Sequence, residues 1–252
     1  MWNWHGILIT GGSSGLGEAM ARALARPGVF IALTGRDAIR LAGVAEACRL
    51  QGAEIVHETV DVADRDRMAD FIARMDARRP LDLVVANAGI SAGTQGGAEG
   101  ADQTRAIFAA NVDGVVNTVM PALAAMASRK TGQVAIISSL ASFRGLPGAP
   151  AYCASKAAVR VWGEALRPDW AGRGIKVNVI CPGYVTTRMT AKNDFPMPFL
   201  MPAEKAARIM LAGLRRDKAR IAFPWRLYAV VRLIAAIPPG LLDPILRRLP
   251  RK

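Results

Sequence analysis

Short apolar runs alternate with longer amphipathic stretches along this chain of 252 residues. The apolar runs predict strands at residues 7–9, 29–34, 54–60, 82–86, 133–138, 176–180 and 220–222. The stretches between them predict helices at residues 18–25, 37–50, 64–76, 100–127, 151–171 and 203–214. Apolar strands that alternate with helices are typical of a parallel sheet covered on both faces. The pattern therefore predicts an α/β fold with a doubly wound parallel sheet of about seven strands.

Composition changes this picture little. An apolar content of 52% is enough for one large core, so we expect residues 1–222 to form one domain, with residues 223–252 as a helical extension packed on it. The three cysteines, Cys48, Cys153 and Cys181, have no spacing typical of a zinc site or a disulfide framework. Residues 1–6 are too short and polar for a secretory signal. We therefore expect a cytoplasmic protein with reduced thiols and no metal.

A glycine-rich turn follows the first predicted strand and leads into a good helix former. It reads Thr10-Gly11-Gly12-Ser13-Ser14-Gly15-Leu16-Gly17. Glycines allow the backbone to turn tightly and to approach a pyrophosphate, and the N-terminus of the next helix attracts an anion. The alternative is a glycine-rich loop without a ligand. The strand and helix on either side favour the phosphate site.

A second motif lies on the predicted helix 151–171. Tyr152 and Lys156 are four residues apart and share one helix face, so the ammonium can favour the ionised phenol. Ser139 precedes Tyr152 by thirteen residues. A tyrosine and a lysine at this spacing occur by chance in many helices, and the motif gains weight from its position after the glycine-rich turn.

Together these motifs resemble the single-domain short-chain dehydrogenases/reductases, over about residues 5–222. The motifs that carry the resemblance, in chain order, are Thr10, Gly11, Gly15 and Gly17, then Ala86-Asn87-Ala88-Gly89, Asn111, Ser139, Tyr152, Lys156, Pro182-Gly183 and Thr187. One position departs from the family pattern, because Ala86 stands where the family commonly has a first Asn. The resemblance implies a Rossmann-like fold and an NAD(P)-dependent oxidoreductase.

The resemblance also implies roles for individual residues. Tyr152 is expected to be the general acid or base, Lys156 to lower its pKa and bind the nicotinamide ribose, and Ser139 to hydrogen-bond the substrate oxygen. Asn111 is expected to anchor a water of a proton relay, or else to be a mid-helix Asn facing solvent. Ser138 competes with Ser139. The expected cofactor-binding residues are Gly11, Ser13, Ser14, Gly15, Leu16, Gly17, Arg36, Asp61, Val62, Asn87, Ala88, Gly89, Tyr152, Lys156, Pro182, Gly183, Val185 and Thr187.

Cofactor preference can be read at the end of the second strand. NAD enzymes of this fold usually carry an acidic residue there, whereas a 2′-phosphate needs a cation. Gly35 occupies the position of the acid, and Arg36 follows it. Asp37 is either the N-cap of the next helix or a competing acid. The sequence favours NADP(H) over NAD(H). Asp61 and Val62 match the family's adenine-contacting pair, and the alternative for Asp61 is a turn residue.

The C-terminal extension is strongly basic. Residues 215–252 hold ten Lys or Arg and two Asp, a balance of +8 in a chain whose net charge is +13. Its apolar segment 223–237 is too short and too charged to span a bilayer. Three uses remain open: a lid over an apolar substrate pocket, a subunit contact, or a peripheral anchor on an anionic membrane. A nucleic-acid partner is disfavoured because the arginines are spread among leucines and isoleucines.

The substrate pocket is expected in the loops at 91–98, 140–149 and 190–201. Apolar residues in these loops predict a hydrophobic ketone, aldehyde or alcohol as substrate, and they are Phe143, Leu146, Phe195, Met197, Phe199, Leu200 and Met201. A homodimer or homotetramer is expected. Two function classes stay open: a working oxidoreductase and a nucleotide-sensing protein without turnover. A third, an extended-family epimerase or dehydratase, usually needs a larger C-terminal domain.

Overall fold

The computed structural model describes residues 4–91, 99–193 and 195–246. Nine strands are assigned within these ranges. They are β1 (Gly6–Thr10), β2 (Phe30–Thr34), β3 (Glu54–Glu58), β4 (Leu83–Ala86), β5 (Gly132–Ile137), β6 (Ile175–Pro182), β7 (Val185–Thr186), β8 (Met201–Pro202) and β9 (Arg220–Phe223). Seven form one parallel sheet in the order β3-β2-β1-β4-β5-β6-β9, and β7 pairs with β8. The doubly wound parallel sheet of seven strands is confirmed.

Nine α-helices connect and cover the strands within the described ranges. They are α1 (Gly15–Leu24), α2 (Ala38–Arg49), α3 (Arg65–Arg78), α4 (Ala101–Phe108), α5 (Gly114–Arg129), α6 (Pro150–Ala171), α7 (Ala203–Arg215), α8 (Trp225–Ala236) and α9 (Pro239–Leu246). The predicted helix 100–127 is interrupted by a π-helical turn, Ala109–Asp113, between α4 and α5. Helix α9 begins at Pro239, because proline is well suited to the first position of a helix.

The core has two halves, one on each face of the sheet. Along β1, Ile7 and Ile9 pack with α1, α2 and α7, whereas Leu8 packs on the opposite face with α3, α5 and α6. Successive side chains of a strand point to opposite faces, so a strand that is buried on both sides must be apolar throughout. All five residues of β1 are buried. This explains why the strands appear as continuous apolar runs in the sequence.

Helix α6 packs very closely on the sheet. A Cβ atom placed on Gly163 would lie 2.8 Å from Ile136 Cδ1 and 2.8 Å from Val179 Cγ2. The absence of a side chain at this position therefore allows the helix to rest directly on β5 and β6. The same helix carries Tyr152 in its first turn and Lys156 in its second.

The run Ala101–Arg129 is apolar enough and long enough, at 29 residues, to cross a membrane by length and composition. Core helices of globular proteins meet the same criteria. In this run Val115, Val119 and Leu123 are buried against the sheet. The run is therefore accounted for as a core helix.

Candidate active site

A cleft of about 630 Å³ opens at the carboxyl ends of the strands. The strand order reverses between β1 and β4, because β1 continues to β2 on one side and β4 continues to β5 on the other. Ligands of doubly wound sheets bind in the crevice at this switch point. The cleft lies where the sequence motifs predict the cofactor.

The glycine-rich turn forms one wall of the cleft. Gly11 and Gly15 have φ values of +66° and +60°, a backbone region that other residues rarely adopt. A Cβ on Gly11 would lie 2.9 Å from Asn87 Nδ2, and a Cβ on Gly15 would lie 3.0 Å from Thr187 Cγ2. Gly17 does not line the cleft, because it faces the carbonyl of Gly11 inside the turn. The bare backbone is thus available to a pyrophosphate, and the residues fit a dinucleotide.

Strand β4 fixes the shape of this turn from behind. The Asn87 amide donates to the carbonyls of Thr10 at 2.9 Å and Gly11 at 3.2 Å. The backbone N–H groups of Asn87 and Ala88 donate to Thr10 Oγ1 at 3.0 and 3.1 Å. Ala86, the departure from the family pattern, is a buried strand residue. The side-chain contacts to the turn come from Asn87, so the substitution leaves them in place.

Lys156 is buried where the cleft meets α6. Its Nζ donates to the Ile137 carbonyl at 3.0 Å and lies 6.0 Å from the centroid of the Tyr152 ring. Burial disfavours the charged form and lowers the pKa of Lys156 to about 8. The amine is therefore close to half protonated near pH 8.

Tyr152 lines the cleft and has a raised pKa. Burial raises it, and a hydrogen bond with the Ser139 hydroxyl acts in the opposite direction. The sequence predicts a lowering by Lys156, and the structure has a net shift upward. The reason is that the phenol is desolvated while the Lys156 amine is held by the Ile137 carbonyl. The neutral phenol is favoured, which suits a proton donor.

The two candidate serines separate clearly. Ser139 lines the cleft, and its Oγ accepts a hydrogen bond from the backbone N–H of Ala141 at 3.1 Å. Ser138 is buried, and its Oγ donates to the Lys156 carbonyl at 2.7 Å. Ser138 therefore ties β5 to helix α6, and Ser139 is the serine beside Tyr152.

Asn111 is buried in the π-helical turn and does not face solvent. Its Oδ1 accepts from the Ile90 N–H at 2.7 Å, and its Nδ2 donates to the Ile90 carbonyl at 2.9 Å and to Ser155 Oγ at 3.0 Å. A Cβ on Gly89 would lie 2.9 Å from Asn111 Oδ1 and 3.2 Å from Lys156 Nζ. Asn111 and Lys156 thus approach the same bare backbone. Asn111 stands behind the cleft wall.

The far end of the cleft is basic. Arg36 is exposed and lines the cleft together with Gly35, Asp37 and Arg40. Asp37 accepts from the Arg40 N–H at 2.9 Å and pairs with the Arg40 guanidinium at 2.6 Å, so it is the N-cap of α2. A Cβ on Gly35 would lie 3.1 Å from Ser13 Oγ, so a side chain there would press on the turn. This end therefore offers cations, with its acid already paired.

The remaining predicted cofactor residues also line the cleft. They are Ser13, Ser14, Leu16, Asp61, Val62, Ala88, Gly89, Pro182, Gly183, Val185 and Thr187. Asp61 also accepts from the Ala63 N–H at 3.0 Å, so its turn role holds alongside its place in the wall. Thr187 makes reciprocal hydrogen bonds with Thr190, of 2.9 and 3.3 Å, at the start of a short helical turn.

A second cavity of about 460 Å³ adjoins the cleft at Ser139 and Tyr152. The first predicted loop, 91–98, lies outside the described residues apart from Ser91. Of the predicted apolar residues, Leu146 and Phe195 line the cavity. The other lining residues are Leu140, Ala141, Arg144, Pro147, Ala149, Cys153, Gly183, Tyr184, Met189, Thr190, Asn193, Pro196, Leu227, Val231 and Ile234.

Five apolar residues predicted for the substrate pocket do not line this cavity. Phe143 instead packs against Tyr228, with ring centroids 5.5 Å apart and ring planes tilted by 59°. Met201 is buried in the core, and Phe199 and Leu200 are about half exposed. Met197 Sδ accepts a hydrogen bond from Asn193.

Helix α8 supplies much of the wall that these loops lack. Leu227, Val231 and Ile234 of α8 all line the cavity. Their spacing places them on one helix face, and this pattern is visible in the sequence. The C-terminal extension therefore contributes to the pocket, which is the lid alternative among its three predicted uses.

Two polar residues at or near the site, Arg40 and Glu99, are not predicted from the sequence. Arg40 lines the cleft one helical turn after Arg36, and that spacing is visible in the sequence. Glu99 Oε2 accepts from the Ala151 N–H at 2.6 Å and so caps α6 from a distant segment. Ala149, at the N-cap position, provides no side-chain cap. A contact between residues this far apart has no local signal.

Comparisons with known proteins agree with this geometry. A family model described as short chain dehydrogenase matches residues 5–196. An uncharacterized oxidoreductase of Myxococcus xanthus is 40% identical over 248 residues, which cover 98% of this chain and 98% of the relative.

Two solved structures have the same fold. A short-chain dehydrogenase from Sphingobium yanoikuyae in complex with NADPH is 23% identical, with a TM-score of 0.78 over 93% of this chain and 96% of that one. A short chain dehydrogenase from Mycobacterium paratuberculosis bound to NAD is 25% identical, with a TM-score of 0.75 over 86% and 94%. The family model covers more than half of the chain, and the bacterial relative nearly all of it: this protein belongs to the short-chain dehydrogenase/reductase family and is an NAD(P)-binding oxidoreductase.

Proposed function

We propose that this protein interconverts an apolar ketone or aldehyde and its alcohol, with NADP(H) as the preferred cofactor. The observation that carries the proposal is the position of Ser139 and Tyr152, which line both the cofactor cleft and the apolar cavity. A substrate oxygen at this junction would meet a hydroxyl and a phenol from one side and the nicotinamide end of the cleft from the other.

The residues support a defined proton path. When bound, a nicotinamide cofactor supplies or accepts the hydride. Tyr152 donates its phenol proton to the developing alkoxide when a carbonyl is reduced, and takes it back when an alcohol is oxidised. Ser139 hydrogen-bonds the same oxygen and holds it beside the phenol.

Lys156 would serve as the next proton carrier. Its pKa of about 8 is close to physiological pH, so it exchanges a proton more readily than an ordinary lysine does. Asn111 is hydrogen-bonded to the Ile90 backbone and to Ser155, the residue that precedes Lys156. These bonds help to fix the position of the Lys156 amine. We assign Asn111 as a positioning residue of this relay.

Preference for NADP(H) rests on charge at the adenosine end. Arg36 and Arg40 line the cleft there, and Asp37 is already paired with Arg40. A guanidinium forms charge-assisted hydrogen bonds with a 2′-phosphate, whereas the ribose hydroxyls of NAD need an acceptor. Gly35 offers no acceptor at the usual position of the acid.

Replacement of Arg36 tests the cofactor assignment. We expect Arg36→Ala to weaken NADPH binding by about 1.5–3 kcal/mol, the scale of a hydrogen bond to a charged group, and to leave NADH binding nearly unchanged. Arg105→Ala removes an exposed arginine of α4 and is the matched control. Titration of both cofactors by calorimetry measures the effect. Equal losses for the two cofactors would contradict a 2′-phosphate site.

The apolar cavity supports the substrate class. Leu227, Val231 and Ile234 form one wall and Leu146 and Phe195 another, so polar substrates would find few partners. Mass spectrometry of ligands that copurify with the protein, followed by turnover assays on the compounds found, tests this. We expect apolar carbonyl compounds or alcohols. Tight NADPH binding without turnover of any such compound would favour the nucleotide-sensing alternative.

A further inference from the structure

The outer face of α8 and the start of α9 expose an unusual amount of apolar surface. Trp225 and Leu233 are each 71% exposed and Leu241 is 70% exposed, and Val230 and Ile237 are also exposed. These five are among twelve large apolar residues found exposed in the described ranges. Single exposed apolar side chains are common, whereas a group that shares one helix face, as Val230, Leu233 and Ile237 do by their spacing, indicates an interaction surface. We call these five residues the outer patch.

Packing among the described residues does not account for the outer patch. The inner face of α8, formed by Leu227, Val231 and Ile234, already lines the apolar cavity. A surface helix normally has one apolar face and one polar face. Helix α8 has apolar residues on both, so its outer face is suited to a surface outside the described chain.

Charge distinguishes between the possible occupants. Residues 225–252 contain six Lys or Arg and a single Asp. Arg226 lies 5.6 Å from the Trp225 ring centroid and is exposed beside the patch, and Arg232, whose guanidinium lies 5.7 Å from the Phe143 ring centroid, is exposed as well. Arg247 and Arg248, which add to the charge in the sequence, lie outside the described residues. A second copy of this chain in a symmetric contact would bring like charges together, whereas an anionic lipid surface would neutralise them.

Length decides how the segment would meet a bilayer. Helix α8 has twelve residues, which is about 18 Å at 1.5 Å per residue and shorter than a bilayer core of about 30 Å. Its inner face is also held on the protein by the contact of Tyr228 with Phe143. The helix can therefore lie in the interface but cannot span it.

We propose that the outer patch docks this protein on an anionic membrane surface, with α8 lying in the plane of the interface. Trp225, Leu233 and Leu241 enter the boundary between headgroups and acyl chains, and Arg226 and Arg232 pair with lipid phosphates. The inference goes beyond the proposed reaction, because it concerns where the protein binds and holds whichever substrate is turned over.

Cosedimentation of the full-length protein with vesicles tests the proposal. The vesicles contain either phosphatidylcholine alone or phosphatidylcholine with phosphatidylglycerol. We expect binding to the anionic vesicles at low salt, weaker binding at 0.5 M salt because lipid charges are screened, and little binding to neutral vesicles. Leu233→Glu should lower partitioning at least about tenfold, because it removes one large apolar side chain from the interface and adds a negative charge.

A matched control is available far from the outer patch in the sequence. Leu50 at the end of α2 is 81% exposed, so Leu50→Glu makes the same chemical change outside the patch. It should leave vesicle binding unchanged. Circular dichroism and NADPH binding confirm that both variants are folded, since neither residue lines the cleft or the cavity.

Three results would overturn the proposal. The first is a full-length protein that stays in the supernatant with anionic vesicles at low salt. The second is an equal loss of binding in Leu233→Glu and Leu50→Glu, which would indicate a general charge effect. The third is absence of vesicle binding together with a smaller particle for Leu233→Glu in light scattering, which would assign the outer patch to a subunit contact.

Discussion

Buried polar groups meet at both ends of the central sheet, and the two ends differ in how they are satisfied. At the amino end, Trp4 donates to Gln133, Gln133 donates to Asn178, and Asn178 donates to Asp217, over 3.1, 2.7 and 2.9 Å. Two hydrogen bonds of 2.8 Å from Arg167 close this network on Asp217. Although burial by itself would raise the pKa of Asp217, the bonds from Arg167 and Asn178 lower it.

At the carboxyl end the polar groups keep spare capacity. Within the described residues, the Lys156 ammonium donates to the Ile137 carbonyl, which uses one of its three N–H donors. Its pKa falls to about 8, opposite to the stabilised charge of Asp217. Buried polar groups stabilise a fold when they satisfy one another, and they become available for chemistry when they do not. We therefore expect substitutions at the carboxyl end of the sheet to lower activity and substitutions at the amino end to lower stability.

The largest expected effect follows Tyr152→Phe. The substitution removes the transferable proton and leaves the ring, so kcat should fall by about 10²–10⁴ while NADPH binding persists. Tyr228→Phe is the control, since the Tyr228 hydroxyl accepts from Arg220 at 3.1 Å outside both cavities. Steady-state kinetics with a turned-over substrate measure the difference. A Tyr152→Phe enzyme of nearly full kcat would refute the assigned role.

Lys156 should reveal its lowered pKa in the pH dependence of stability. The folded pKa is about 8 and the unfolded value is 10.5, so the charged form costs stability below pH 8 and the cost disappears as pH rises to 10.5. The free energy of unfolding of the wild type, minus that of Lys156→Met, should therefore rise by about 3 kcal/mol across this window. Denaturant titrations at several pH values measure it, and a pH-independent difference would contradict a lowered pKa.

Asn178→Ala tests the opposite end. It removes the hydrogen bonds of Asn178 to Gln133, Asp217 and the Lys218 carbonyl, although Gln133 keeps Trp4 and Asp217 keeps Arg167. The free energy of unfolding should therefore fall by about 2–3 kcal/mol, with kcat nearly unchanged. Gln51 is an exposed amide after α2, and Gln51→Ala should change stability by less than about 0.5 kcal/mol. If Asn178→Ala lowered kcat and spared stability, the division between the two ends would be wrong.

The smallest expected effect concerns Glu99, which connects a distant segment to the N-terminus of α6. Glu99→Ala removes the cap of the Ala151 N–H and should cost about 1 kcal/mol of unfolding free energy. Glu99→Gln keeps an acceptor and loses only the charge at the helix N-terminus, so it should cost less. Thermal unfolding of the two variants, with the exposed Glu46→Ala as control, ranks them. Equal stability of Glu99→Ala and the wild type would contradict a capping role for Glu99.

Local patterns were sufficient to predict the order of strands and helices. The strands are buried on both faces, so their apolar runs are unmistakable, and the glycine turn carries its own backbone requirement at Gly11 and Gly15. The cleft residues followed because the carboxyl ends of parallel strands meet at one edge.

Features that depend on contacts distant in the sequence were not predictable in the same way. The π-helical turn is associated with a pair of hydrogen bonds between Asn111 and the Ile90 backbone, which the helix pattern of 100–127 does not contain. The upward pKa shift of Tyr152 depends on burial that only the packed structure provides. Phe143 looked like a pocket residue because it is apolar and lies in the right loop, yet the ring of Tyr228 and the guanidinium of Arg160 hold it elsewhere.

The close contact at Gly163 has a consequence for how this enzyme can diversify. Even a methyl group there would collide with Ile136 and Val179, so helix α6 cannot slide or tilt without disturbing the sheet. Tyr152 and Lys156, which lie on this helix, therefore keep fixed positions whatever the substrate. New substrate ranges would arise by mutation of α8 and of the loops that carry Leu146 and Phe195, whose side chains line the cavity from separate elements. The residues proposed to transfer the proton would thus stay in place while the residues that select the substrate change.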